Sequence, residues 1–476
     1  MTGWLREALY RIDVAAMVYF LLLNTSYLIL LLLASIEFAG HRRRTRYSGG
    51  DDMFRSPLTP PVSVIVPAYN EGPGIVEAVR SIMALHYPRF EIVVVDDGST
   101  DDTFTALAAA FGLVETPRAP VPGLRALGAV RSVHVAADEP DRLMVVRKAN
   151  GGKADALNVG IALASSPLVC MVDADSLLDP EALLTVARPF ADDPLRVVAT
   201  GGVIRIVNDC EVVAGRVVGA RMPRRWLPRI QVIEYLRSFL LGRAGWSRVG
   251  SLVVISGAFG LFRRDDVIAA GGMATDCIGE DAELVVRLHH TLRRAERDYR
   301  VTFVSEPVSW SEAPNTWRVL RKQRARWHRG LAEIIWRHRG MVFNPRYGRI
   351  GMIAMPWYLL FELLAPVIEL AALVLVPLGL ALSVVDIDFA WRFLLASYGY
   401  AVVISLVALL AEEIAYHRYP RWRDLGIGLA AAVLENVGYR QVLALWQVEG
   451  LWAAVRGRRH VWGEMSRAGF VTRERP

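Results

Sequence analysis

Residues 14–36 form an almost unbroken apolar run, and nothing else in the chain restricts its fold as much. As a helix this run is long enough to cross the roughly 30 Å hydrocarbon core of a bilayer. His41-Arg42-Arg43-Arg44 follow at once, and the bias of basic residues towards the cytoplasm places that end inside. A cleavable signal would have a shorter apolar core and a small-residue cleavage site, so residues 1–40 are read as a retained anchor and 41–61, rich in Gly, Pro and Asp from 48 onward, as a linker.

The far end is apolar again. Residues 357–383 read as one span, Asp386-Ile387-Asp388 as a short exterior loop, and 389–411 as a span returning to a basic loop at 417–423. Glu362 and Glu369 lie seven apart in the first of these spans and so project from nearly the same helix face, where they are expected to line a polymer path; a solvated Glu362 near the headgroups is the alternative. The last apolar stretch, 425–455, holds Glu435, Asn436 and Arg440 midway. It is expected to form a re-entrant or interfacial hairpin that leaves the tail, 456–476, in the cytoplasm. Membrane and interfacial helices thus occupy 341–455.

With 53% apolar residues, part of the chain must sit in lipid. The net charge of +7 is carried almost wholly by arginines beside apolar segments, which points to lipid headgroups and substrate phosphates and not to nucleic acid. Cys170, Cys210 and Cys277 are too few and too scattered for a disulfide framework or a zinc site, which fits a reducing compartment.

Between the apolar ends, residues 62–340 alternate strand and helix patterns. A strand at 62–66, a helix at 74–85 and a second strand at 91–95 begin a doubly wound α/β domain whose ligand crevice lies at the carboxyl ends of the strands. The turn Pro67-Ala68-Tyr69-Asn70-Glu71 lacks the glycines of a dinucleotide-binding loop, and Gly151-Gly152-Lys153-Ala154 lacks the first glycine and final hydroxyl of a Walker A loop. Nucleotide must be held another way. The run Val169-Cys170-Met171-Val172 ends in Asp173-Ala174-Asp175; side chains alternate faces along a strand, so both carboxylates point the same way and can share a hard cation with a phosphate oxygen. The plainer reading is a surface turn ahead of a helix capped at Asp179, with Pro180 in its first position.

The motifs Pro67-Ala68-Tyr69-Asn70-Glu71, Asp96-Asp97-Gly98-Ser99, Asn150-Gly151-Gly152-Lys153-Ala154, Asp173-Ala174-Asp175, Gly279-Glu280-Asp281 and Gln323-Arg324-Ala325-Arg326-Trp327, in this order, resemble the membrane-embedded polysaccharide synthases of glycosyltransferase family 2. That group includes poly-N-acetylglucosamine, hyaluronan and cellulose synthases. The resemblance covers roughly residues 62–330 and is specific for family, not for sugar. Where those synthases usually read Thr-Glu-Asp this chain has Gly279, a departure at a position that does no proton chemistry.

The resemblance implies an α/β GT-A type glycosyltransferase domain joined to an α-helical transmembrane region, and it assigns roles. Tyr69 and Glu71 would meet the donor base, where an aromatic face can stack, and Asp96 or Asp97 would accept from the uracil imide. Ordinary turn chemistry is the alternative there. Lys153 would meet the diphosphate as a compact charge, with Mg or Mn at Asp173 and Asp175. Ser256 and Gly257, after a strand-like 252–255, would form an acceptor-side loop where glycine lets backbone approach a sugar closely; a plain loop is the alternative. Glu280 and Asp281 open a helix and would suit its dipole in any case, but Asp281 is where this family keeps the base of an inverting transfer. In the helical stretch 315–339, otherwise a basic helix on the headgroups, Gln323, Arg326 and Trp327 share a face. The guanidinium would take the departing pyrophosphate and the indole the terminal acceptor sugar. The family links this pattern with processive synthesis.

The sequence therefore leads to a multi-pass plasma-membrane enzyme with a cytoplasmic catalytic domain. It would carry out inverting, processive transfer from UDP-GlcNAc or UDP-glucose to a growing β-linked polysaccharide, coupled to export and open to an accessory export subunit. Two alternatives stand beside it: a non-processive transferase acting on a polyprenyl phosphate or glycolipid, and a non-catalytic UDP-sugar sensor.

Overall fold

The computed structural model describes residues 3–45, 50–72, 74–120, 123–124, 126–213, 215–416 and 422–457. The side chains of the basic flank at 41–44, residues 417–421 of the second basic loop, and the tail from 458 lie outside what it describes.

The centre is one ten-stranded sheet. Its strands, in chain order, are β1 (Val62–Ala68), β2 (Phe90–Asp96), β3 (Leu113–Glu115), β4 (Val130–Ala136), β5 (Leu143–Lys148), β6 (Leu168–Val172), β7 (Leu177–Leu178) and β8 (Val197–Ile206); β9 (Glu211–Val213) and β10 (Arg216–Gly219) form a separate hairpin; β11 (Phe259–Arg263) and β12 (Arg300–Ser311) complete the sheet. The order is β3-β4-β5-β2-β1-β6-β11-β8-β12-β7. Strands β5, β2, β1 and β6 are mutually parallel. They are covered on both faces, which is why they read as continuous Val and Ile runs. Val62, Val64, Ile65 and Val66 are fully buried, each contributing about 1.5–3 kcal/mol of apolar transfer. Past β6 the sheet turns antiparallel through β11. The crevice at the carboxyl ends of β1, β2, β5 and β6 is where the sequence placed the ligand.

Three sequence expectations are corrected within this domain. The linker contains a short helix, Gly50–Arg55. Residues 252–255 are irregular, with Leu252, Val253 and Ile255 buried, and the strand begins only at Phe259. The helix expected at Asp179 starts at Ala182 (Ala182–Asp192) with Glu181 as its first boundary residue. The Asp179 carboxylate instead accepts from the Trp310 indole at 3.3 Å.

Helices are numbered here for those the site depends on: α1 (Gly3–Thr45), α2 (Lys153–Leu163), α3 (Trp226–Tyr235), α4 (Glu280–Arg294), α5 (Trp317–Arg337), α6 (Ala365–Ala381), α7 (Trp422–Leu434) and α8 (Arg440–Val455). Two described helices, Gly3–Ile36 and Ile387–Ala411, are long and apolar enough to cross a membrane. The expected span at 357–383 is a pair, Ile350–Leu363 and Ala365–Ala381, bent by 41°, and makes a third if taken as one. Pro366 at the start of α6 lacks the N–H that would continue the ladder across the bend. Glu362 and Glu369 therefore stand on either side of a bend and not on one straight face. Glu362 accepts from the Tyr27 hydroxyl at 2.7 Å, while Glu369 accepts from Arg440 Nε at 2.9 Å and Gln441 at 3.1 Å. Asp386, in the expected exterior loop, caps the next helix by accepting from Phe389 N at 2.7 Å.

The stretch 425–455 is broken in its middle. Val437 (φ −115, ψ 106) and Gly438 (φ 97, ψ −60) leave helical geometry between α7 and α8. Helix α8 lies along α5: a Cβ on Gly450 would come within 2.2 Å of the Ala325 carbonyl oxygen. Arg321 pairs with Glu449 at 2.9 Å, and Trp317 meets Trp446 edge-on. So α5 is packed along α8, the last described helix. Residues 226–249, given no role from sequence, form α3, a π-helical segment Leu236–Arg243 and a short helix Ala244–Val249. That last helix is pressed on α1, where a Cβ on Gly245 would come within 2.6 Å of the Leu30 oxygen.

Candidate active site

Two loops at the carboxyl ends of β1 and β2 are stitched together by short polar side chains. Asn70 N donates to Ser99 Oγ at 3.0 Å, Thr100 N to Asn70 Oδ1 at 2.8 Å, and Glu71 N to Thr103 Oγ1 at 2.9 Å. Asn70 adopts φ 56, a conformation Asn tolerates better than most residues. The turn leaves Tyr69 half exposed at the rim, 50% of its surface open.

Asp96 and Asp97 divide sharply. Asp97 is buried, and its carboxylate is ion-paired with Lys148 while accepting from Gly151 N at 3.0 Å and Gly152 N at 2.7 Å. Its pKa is raised by burial, against the pull of Lys148 and these amides. Lys148, fully buried at the end of β5, also pairs with Asp155 at 2.7 Å, and Asp155 accepts from Leu127 N and Gly128 N. An acceptor so fully engaged does not present an oxygen to a base, so of the two aspartates expected to do this, Asp97 shapes the loop instead. Asp96 gives one oxygen to Ser99 N at 2.9 Å, and its other oxygen lies 4.0 Å from Arg147 Nε. Gly151 is required here, because a Cβ would fall 2.2 Å from Asp155 Oδ2.

That loop delivers Lys153 into the crevice as the first residue of α2. Its ammonium is ion-paired with Asp173 and lies 3.9 Å from Glu280 Oε1. Burial alone would lower the Lys153 pKa, but Asp173, Glu280 and Asp281 outweigh it and hold the amine protonated. Strand β6 ends at Val172, so Asp173 and Asp175 sit on a turn. The expected alternation of strand faces does not apply to them. Among the described residues no group of three or more His, Cys, Asp or Glu side chains is placed to hold a metal. Two carboxylates suffice for Mg or Mn, because such hard cations take oxygen ligands and fill their remaining positions with water and substrate phosphate. The donor set at Asp173 and Asp175 fits that chemistry.

Glu280 and Asp281 occupy the first turn of α4. Glu280 is buried, and that burial pushes its carboxyl up to about 7 despite Lys153, with the Asp281 charge adding to the effect. Asp281 Oδ2 accepts from Gly257 N at 2.7 Å and Oδ1 from Ala282 N at 2.8 Å. A Cβ on Gly257 would come within 3.2 Å of Asp281 Oδ2 and 3.4 Å of Lys153 Nζ. Glycine at 257 thus serves the approach of backbone to these two side chains. Lys153, Ser256, Gly257, Glu280 and Asp281 line one narrow cleft over an apolar floor that includes Met171.

On α5, Gln323 is buried, with Oε1 making no hydrogen bond, while Trp327 is 45% exposed. The carboxylate cleft and α5 are joined at Gly279 and Gly330 and by Ile278 N, which donates to Glu333 Oε2 at 3.2 Å. Arg324, given no role from the sequence, lies with its guanidinium carbon 4.5 Å from the Trp327 ring centre and pairs with Glu234 at 2.8 Å. Lys148 and Glu234 were also missed. Lys148 had a readable signal, being one of only three lysines against abundant arginine and closing an apolar strand. Glu234 had none, since its partners lie far away in sequence.

Comparison with known proteins agrees with this architecture. A family model described as "Glycosyl transferase family group 2" matches residues 168–410, and one described as "Glycosyl transferase family 2" matches residues 63–116. Poly-beta-1,6-N-acetyl-D-glucosamine synthases of Staphylococcus aureus (strain COL) and Staphylococcus epidermidis are each 28% identical over 276 residues, 58% of this chain. The match spans only 56% of the length of those relatives. A mannosyltransferase from Pyrobaculum calidifontis, solved with GDP-Man and Mn2+, superposes with a TM-score of 0.52 at 19% identity, covering 95% of this chain and all of that one. That likeness establishes the GT-A-like fold.

Proposed function

The chain belongs to glycosyl transferase family group 2, and from that premise we propose that it transfers a sugar, with inversion, from a UDP-sugar to a growing β-linked polysaccharide at the membrane. The observation that carries this reading is one narrow cleft lined by Lys153, Gly257, Glu280 and Asp281, with Lys153 ion-paired to Asp173 and Gly257 close to both Lys153 and Asp281. A donor diphosphate on the lysine side leaves the anomeric carbon facing Asp281. Asp281 then accepts the proton of the attacking acceptor hydroxyl as the new glycosidic bond forms and the bond to the nucleotide diphosphate breaks. Asp173 and Asp175 would hold Mg or Mn, which neutralises charge on the departing diphosphate. Lys153 supplies a second, fixed positive charge. Tyr69, Glu71 and Asp96 bind the base end, Arg326 and Gln323 the pyrophosphate, and Ser256 and Trp327 the acceptor.

The half-exposed ring of Trp327 supports a sugar acceptor, because an indole face offers the flat apolar contact that a pyranose needs. The similarity to poly-beta-1,6-N-acetyl-D-glucosamine synthases supports UDP-GlcNAc as donor and a polymer as product. The apolar helices support a multi-pass membrane enzyme, and the basic residues that follow the first apolar run support a cytoplasmic catalytic domain. The test is to incubate the purified protein with radiolabelled UDP-GlcNAc and UDP-glucose and to size the product. A ladder or a high-molecular-weight smear is expected. Label that partitions wholly into organic solvent would replace the polymer with a lipid acceptor, and UDP binding without any turnover would leave a sensor.

A further inference from the structure

The helix α3 places a carboxylate where the acceptor platform needs support. Glu234 Oε2 accepts from Arg324 Nη2 at 2.8 Å and from the Tyr439 hydroxyl at 2.9 Å. Arg324 is buried, and its planar guanidinium lies against the Trp327 ring. One side of the indole is thereby occupied, and the ring remains 45% exposed. A tryptophan on a helix surface has several rotamers, and an ion-paired guanidinium against its ring selects one. Tyr439 follows directly on the break at Val437 and Gly438, and its neighbour Arg440 pairs with Glu369 on α6 at 2.9 Å. Side-chain contacts therefore run from Trp327 through Arg324 and Glu234 to Tyr439, whose neighbour in sequence is anchored to α6.

We propose that Glu234 and Arg324 are positioning residues that fix the Trp327 ring as the acceptor platform and tie its orientation to the helix break at Tyr439. Neither touches donor or reacting atoms; both act through the indole. The inference rests on the reading of Trp327 as the acceptor contact. Two consequences separate positioning from a merely structural ion pair. Loss of the relay raises KM for the acceptor while donor-nucleotide affinity and the slow transfer of sugar to water stay unchanged. The polymer also becomes shorter, because a loosely held chain end dissociates between additions.

The experiment uses the full-length protein in detergent with a short soluble oligosaccharide as acceptor. It compares Trp327→Ala, Glu234→Gln, Arg324→Lys and Tyr439→Phe. Glu234→Gln removes the charge and Arg324→Lys the planar group; each is expected to raise acceptor KM by roughly 3- to 30-fold, the range a cation–π contact commands. Calorimetric titration with UDP should be unchanged in both. Tyr439→Phe keeps the pair and should shorten the product with little change in acceptor KM. If a single charge removal prevents accumulation in the membrane, Glu234→Gln combined with Arg324→Met leaves no unmatched buried charge and must show the same acceptor defect. If Trp327→Ala raises acceptor KM and the relay variants do not, the inference is overturned. If Trp327→Ala itself leaves acceptor KM unchanged, the reading of Trp327 fails first.

Discussion

Gly279 and Gly330 touch backbone to backbone: a Cβ on Gly330 would come within 3.2 Å of the Gly279 nitrogen and 3.4 Å of its Cα. The residue just before the Glu280-Asp281 pair is thereby held against α5, the helix that carries Trp327. At 279 itself, where related synthases usually have threonine, a Cβ would meet only the tip of Ile334 closely, at 3.1 Å.

Gly330→Ala must therefore push backbone, whereas Gly279→Ala meets the flexible end of an isoleucine. The first should cost about 1–3 kcal/mol of stability and reduce transfer by roughly tenfold through displacement of Asp281. The second should be milder in both respects. Thermal unfolding and polymerisation rates on the same preparations check this; equal behaviour of the two variants would contradict it.

Asp281→Asn keeps one oxygen that can accept from Gly257 N or Ala282 N and removes the carboxylate proposed as the base. UDP affinity should stay nearly constant while transfer falls by roughly 10² to 10⁴, or about 3–5 kcal/mol of barrier. Calorimetric titration with UDP and metal beside a polymerisation assay measures both. Near-parental polymerisation would reduce Asp281 to a residue that merely opens a helix.

Asp175→Ala should weaken metal-dependent UDP binding and abolish transfer together, since it removes one of the two carboxylates proposed to hold a hard cation beside the diphosphate. Chelation by EDTA should do the same to the parent, with activity restored by Mg or Mn. Full activity in EDTA would show that Lys153 alone serves the diphosphate.

Lys148→Met should destabilise the fold by about 3–5 kcal/mol, because it leaves Asp97 and Asp155 buried without their cation. At temperatures where the variant remains folded, UDP binding should still fall, since Asp97 holds the loop that delivers Lys153. Denaturant midpoints and UDP titration test the two parts separately.

Glu280 makes stability depend on pH in a direction that can be worked out. Burial raises its pKa from the ordinary 4.5 to about 7, so between these values the folded state holds a proton that the unfolded chain releases. Stability attributable to this group is greatest below 4.5, falls as pH rises to about 7, and is then constant. In metal-free buffer Glu280→Gln should therefore be more stable than the parent at pH 8, by up to about 3 kcal/mol. The two should converge below pH 4.5. An advantage that grows towards acid pH would mean that the carboxylate is stabilised, not strained, by its surroundings.

The strands β1, β2 and β6, the helix opening at Glu280 and the helix carrying Gln323, Arg326 and Trp327 were all legible in the sequence. Each is specified by short-range pattern: a run of β-branched residues buried on both faces, or apolar and charged positions at helical spacing. The crevice at the strand ends followed from the alternation of elements, and the family from the order of its motifs. Tertiary structure decided what long-range partners decide. It turned Asp97 inward to Lys148 and the glycine amides, ended β6 before Asp173, and bent the helix pair between Glu362 and Glu369 so that each found its own partner. It also joined Glu234 to Arg324, 90 positions further along the chain. A carboxylate's role depends on which cation or N–H lies within about 3 Å of it, and that neighbour is fixed by how the layers pack.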